Sequence, residues 1–79
     1  MSNINRKYRS DLTDQLDRAG FDLIEDIRQG NGHVTLHVRH RQTGADLLLR
    51  GVASTPDNYR STANKVRQLA TRSLAARQN

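Results

Sequence analysis

His33-Val34-Thr35-Leu36-His37-Val38-Arg39-His40-Arg41 is the stretch on which the fold turns. Val34, Leu36 and Val38 alternate with His33, Thr35, His37, Arg39 and Arg41. A strand sends successive side chains to opposite faces, so this spacing predicts a half-buried strand with one apolar and one basic face. As a helix, the same residues would set His33 and His37 one turn apart, ready to clamp a metal. The β-branched Val34, Thr35 and Val38 after Gly32 favour the strand. On a strand the two histidines stand roughly 13 Å apart, too far for one ion. No carboxylate lies close by in sequence and the chain has no cysteine, so neither a metal site nor a cofactor is expected.

Turn signals bracket this strand. Gln29-Gly30-Asn31-Gly32 precedes it and Gln42-Thr43-Gly44-Ala45 follows it, rich in residues that tolerate positive φ. Residues 21–27, Phe21 to Ile27, read as a strand whose alternation is broken where Leu23 meets Ile24. Residues 45–52 read as a third strand centred on Leu47-Leu48-Leu49. Leu12, Leu16 and Ala19 form a helical stripe capped by Ser10 or Asp11 and closed by Gly20. Thr55 and Pro56 suit the start of a last helix, whose stripe is Tyr59, Ala63, Val66, Ala70 and Leu74. Arg60 and Arg67 share one flank of that stripe, Lys65 and Arg72 another.

The expected class is α+β, in the order α-β-β-β-α. A three-stranded antiparallel sheet should carry both helices on the face of Val34, Leu36 and Val38. Residues 1–9 are expected to be a loose basic segment, 10–76 a single domain and 77–79 a frayed end. A chain of 79 residues buries only about 60% of its unfolded surface, so its core is thin.

Charge is unevenly spread. Residues 10–27 hold six acids against one base, while residues 28–79 hold nine bases against two acids. The net charge is +5, and a basic face attracts phosphates and gains from counterion release. No apolar run approaches the roughly 20 residues of a membrane span, and no apolar stretch follows the first basic residues as in a secretory signal. A cytoplasmic protein without membrane contact is expected.

His33 opens its strand after a glycine turn. An imidazole titrates near neutral pH and can move a proton during phosphodiester cleavage. A histidine there can equally hydrogen-bond its own turn and serve structure alone. Arg39 and Arg41 lie further along the same face, and an arginine fork matches phosphate oxygens. No aromatic residue alternates with these bases, so stacking of single-stranded bases is not expected, and recognition of duplex or folded RNA by charge and shape is. His37, Arg39, Arg41, Arg60, Lys65 and Arg67 are the expected nucleic-acid contacts. Gly30-Asn31-Gly32 leads into a strand rather than a helix, so it is no phosphate-binding loop of the nucleotide-binding type.

Ala19-Gly20-Phe21 closing a helix, followed by Gly32-His33-Val34-Thr35-Leu36, resembles the HicA-type mRNA interferase toxins. The resemblance runs from about Asp11 to Leu74. Ser54-Thr55-Pro56-Asp57-Asn58-Tyr59-Arg60 looks like the helix start of small phage-encoded relatives. The resemblance implies a fold similar to a double-stranded RNA-binding domain, RNA as partner, metal-independent cleavage with His33 as catalytic histidine, and a HicB-type antitoxin. The chain departs from that family where Asn31-Gly32 precedes a single histidine, and where Arg50-Gly51-Val52-Ala53 replaces a proline- and histidine-bearing stretch. The alternative is a non-catalytic phage accessory module that binds nucleic acid or a host protein, inhibition of a host nuclease or defence complex included.

Overall fold

The computed structural model describes residues 4–78. Its elements are α1 (Arg6–Arg18), β1 (Phe21–Gly30), β2 (His33–His40), β3 (Asp46–Ala53) and α2 (Tyr59–Gln78). The strands form one antiparallel sheet in the order β1-β2-β3, with β2 in the centre. The expected α-β-β-β-α order and the α+β class are therefore observed.

The period-2 reading of β2 holds along the strand. Val34, Leu36 and Val38 are buried, together with their neighbours on β3, Val52, Leu49 and Leu47. Tyr8, Leu12 and Leu16 of α1 and Ala63, Val66 and Ala70 of α2 cover this face. Both helices thus lie on one side of the sheet, and the face of His33, Thr35, His37 and Arg39 stays open. The adjacency of Leu23 and Ile24 is resolved by a bulge. The register shifts between Leu23 and Glu25, so Leu23 joins the core while Ile24 is 42% exposed.

Element ends depart from the sequence reading for identifiable reasons. The first helix begins at Arg6, not at Ser10 or Asp11, because the Asn5 side chain caps it by accepting the Tyr8 N–H at 2.8 Å. Tyr8 is fully buried, stacks on Tyr59 at 5.3 Å and donates its hydroxyl to the Ala53 carbonyl at 2.7 Å. Residues 4–9 of the segment expected to be loose therefore belong to the domain, and residues 1–3 lie outside the described residues. The last helix begins at Tyr59 rather than Pro56, capped by Asn58, which accepts the Ser61 N–H at 2.9 Å. It continues to Gln78, through most of the end expected to fray; Asn79 lies outside the described residues.

β1 runs on to Gly30, which leaves only Asn31 and Gly32 as the loop to β2. Both have positive φ, 52° and 75°, the backbone sign of the two-residue Asn-Gly hairpin whose twist matches its strands. Among the described residues no helix is long and apolar enough to cross a membrane.

Candidate nucleic-acid interface

The three histidines have different fates. His40 stacks against Phe21 at 5.0 Å, and its Nδ1 meets the Thr43 hydroxyl at 2.9 Å, so it braces the β2–β3 turn. The Nε2 of His37 lies 3.1 Å from Asp46, whose carboxylate also takes the Arg39 Nε–H at 2.9 Å. His33 is exposed, and its ring has no hydrogen-bond partner among the described residues. The turn beside it is held by Ser54 instead, whose N–H and hydroxyl both donate to the Gly32 carbonyl, at 2.9 and 2.8 Å. The purely structural role open to a histidine at this position is thus filled by another residue.

His33 lines a shallow polar cleft with Arg28, Ser54 and the turn at 30–32. Arg28 is a contact that sequence reading missed. It pairs in register with Val34, next to His33, because a bulge between Arg28 and Gly30 shifts the register that the two-residue loop sets at Gly30 and His33. Taking Asn31-Gly32 as the whole loop predicts Gly30 opposite His33 but Gln29 opposite Val34; the bulge at Gln29 that brings Arg28 there is set by the tertiary structure.

The six expected phosphate contacts do not form one surface. His37 and Arg39 share the open sheet face and are both engaged by Asp46. Their hydrogen bonds, Arg39 first and His37 second, hold the Asp46 carboxyl below its usual range. Arg41 has left the strand. It bonds Asp17 at 2.7 Å, Asp22 at 3.2 Å and the Asp17 carbonyl at 2.9 Å, near the C-terminal end of α1. The Asp17 hydrogen bond raises its pKa further, so its charge is committed to that site. Arg60, Lys65 and Arg67 belong to the helical layer, on the other side of the sheet from His37 and Arg39. Arg60 borders a cleft with Asp11 and Asp14, Arg67 donates to Asn64 at 2.7 Å, and Lys65 flanks Val52 of β3.

Two other cations lie near His33, Arg28 in its cleft and Arg50 opposite Thr35. The first turn of α1 is anchored there, since Tyr8 reaches Ala53 and Ala53 pairs with His33. Arg6 and Lys7 in that turn, Arg28 on β1 and Arg50 on β3 make no ion pair among the described residues. Asp26, the carboxylate nearest Arg28 on its face of β1, is bonded by Arg9. At the opposite end of the sheet, Asp17, Asp22 and Asp46 surround Arg39 and Arg41. Arg39 and Arg41 are thus closed by Asp46, Asp17 and Asp22, whereas Arg28 and Arg50 near His33, and Arg67 and Arg72 beside Ala19, make no ion pair among the described residues. Among the described residues no three potential ligand side chains lie close enough to share a metal ion.

Comparison with known proteins finds no matching family model, curated protein or solved structure.

Proposed function

We propose that this protein binds RNA through the end of the sheet that carries His33, and that His33 is the proton-transfer group of a metal-independent cleavage of the phosphodiester backbone. One observation carries this reading. His33 is the histidine left without a partner, and it lines a polar cleft with Arg28, which makes no ion pair among the described residues. A neutral imidazole there can accept the proton of a ribose 2′-hydroxyl as the oxygen attacks phosphorus. The leaving 5′-oxygen must take a proton from a second donor. His37, roughly 13 Å along the strand and bonded to Asp46, is poorly placed for that, which leaves solvent. The HicA resemblance supports the same residue, and a cytoplasmic location, expected from the lack of an apolar span or signal-like stretch in the sequence, suits an RNA target.

The test is incubation of the purified protein with labelled RNA in EDTA. Wild type should cleave, and His33→Ala should bind but not cleave. Salt-sensitive binding without cleavage would leave a binding module, and no binding at low salt would sink the nucleic-acid reading.

A protein partner is a second reading, favoured by Ile24, Ile27 and Leu48, which are 42%, 41% and 54% exposed. Ile27 and Leu48 flank the central strand on its open face. A HicB-type antitoxin or a host protein covering this face would leave the His33 end accessible or blocked according to its reach. Leu48→Ser should weaken such a complex without changing RNA affinity.

A further inference from the structure

We infer that Arg28 is the phosphate-binding residue of the His33 cleft, holding a phosphodiester of the RNA backbone beside the imidazole. The inference rests on the reading of this end as the RNA-binding end, and names the residue that supplies the anion contact. Arg28 and His33 line the same cleft at the end of the hairpin, Arg28 from the face of its register partner Val34 and His33 from the open face, so a phosphate held there sits across the end of the sheet between them. Arg28 is exposed and has no carboxylate partner among the described residues. Asp26 would be its natural partner two residues away on the strand, and Arg9 of α1 has taken that contact.

The remaining groups of the cleft cannot replace it. The Ser54 hydroxyl spends its proton on the Gly32 carbonyl. A side-chain carbon built at Gly30 or Gly32 would meet nothing within 4 Å, so a bulky backbone can approach the turn. Arg39, the expected anion contact, is bound to Asp46 and lies six residues along β2 from His33, roughly 20 Å away. A phosphate bound at Arg39 would not reach the His33 ring. A guanidinium at Arg28 offers forked N–H donors beside the one free imidazole.

The experiment compares wild type with Arg28→Ala, Arg28→Lys and Arg39→Ala, measuring affinity for one labelled RNA across a salt series. Arg28→Ala should bind about tenfold more weakly, and its salt slope should fall by about one phosphate contact. Arg28→Lys should recover the slope, and Arg39→Ala should stay close to wild type. Unchanged affinity and slope in Arg28→Ala would overturn the assignment while leaving the RNA reading intact. Should wild type bind no RNA, a titration with inorganic phosphate followed at the His33 ring protons by NMR decides separately. A shift in wild type that is lost in Arg28→Ala supports the assignment; no shift, or the same shift in both, overturns it.

Discussion

The side-chain oxygen of Gln29 accepts the backbone N–H of Gly51 at 2.9 Å, spanning the sheet from one edge strand to the other. Between them Thr35 of the central strand donates its hydroxyl to the same oxygen at 3.3 Å. The contact has a local cause. β3 places both Arg50 and Gly51 opposite Thr35, a bulge in which Gly51 takes a φ of 73° and its N–H leaves the ladder. Gln29→Ala should therefore cost about 1 kcal/mol in urea unfolding. It should also speed hydrogen exchange at the Gly51 amide more than at Leu49. Unchanged exchange at Gly51 would mean that the bond does not persist in solution.

Tyr8 ties α1 to the end of β3. Burial removes solvent from its hydroxyl and pushes the pKa up to about 12 from 10.0. The folded state therefore retains a proton that the unfolded chain releases, and stability should be full below pH 10 and fall as pH rises toward 12. The loss is at most about 3 kcal/mol. Tyr8→Phe should cost about 1 kcal/mol at neutral pH, by leaving the Ala53 carbonyl without its donor, and should remove this part of the alkaline loss. Urea melts at pH 7 and pH 10.5 for the two proteins check both statements.

Asp46 works in the opposite pH direction. Its pKa is held below the ordinary 3.8, chiefly by the Arg39 hydrogen bond. A carboxyl lowered on folding stabilises above its unfolded value and loses that contribution as pH falls through the folded value. Asp46→Asn should be modestly less stable than wild type at pH 7, with the gap closing below pH 3.8. A gap of the same size in acid would show that the effect is not electrostatic.

Leu48 and Leu49 are chain neighbours with opposite surroundings, 54% and 1% exposed. Leu49→Ala should cost about 3 kcal/mol, a large share of the roughly 4–12 kcal/mol expected for a domain of this length. Leu48→Ala should change stability by less than about 0.5 kcal/mol. Similar costs at the two positions would show that the open face is covered in solution.

The Asn31-Gly32 loop allows a sharper check of the hairpin register. Asn31→Gly should be tolerated, while Asn31→Val should lose about 1–2 kcal/mol, because a branched side chain fits poorly at a φ of 52°. The loss should be accompanied by shifted amide resonances at Gly30 and His33, the pair that the loop sets in register.

The order of elements and the buried face of each were legible in the sequence, since alternation and helical stripes are local properties of neighbouring residues. Val34, Leu36 and Val38 announce their face without reference to anything distant, and the Tyr59, Ala63, Val66, Ala70 and Leu74 stripe does the same. Helix starts were less legible. Asn5 caps α1 only because Tyr8 finds its place against Tyr59 and Ala53, which come more than 40 residues later. The charge count was also visible in the sequence, but not which charges remain available. His37, Arg39 and Arg41 look like a basic face in one dimension. In three dimensions strand pairing brings Asp46 to two of them, and the close of α1 brings Asp17 to the third. Ion pairing depends on separations of a few ångströms between residues remote in the chain, so only the tertiary structure could set His33 and Arg28 apart from the cations already neutralised.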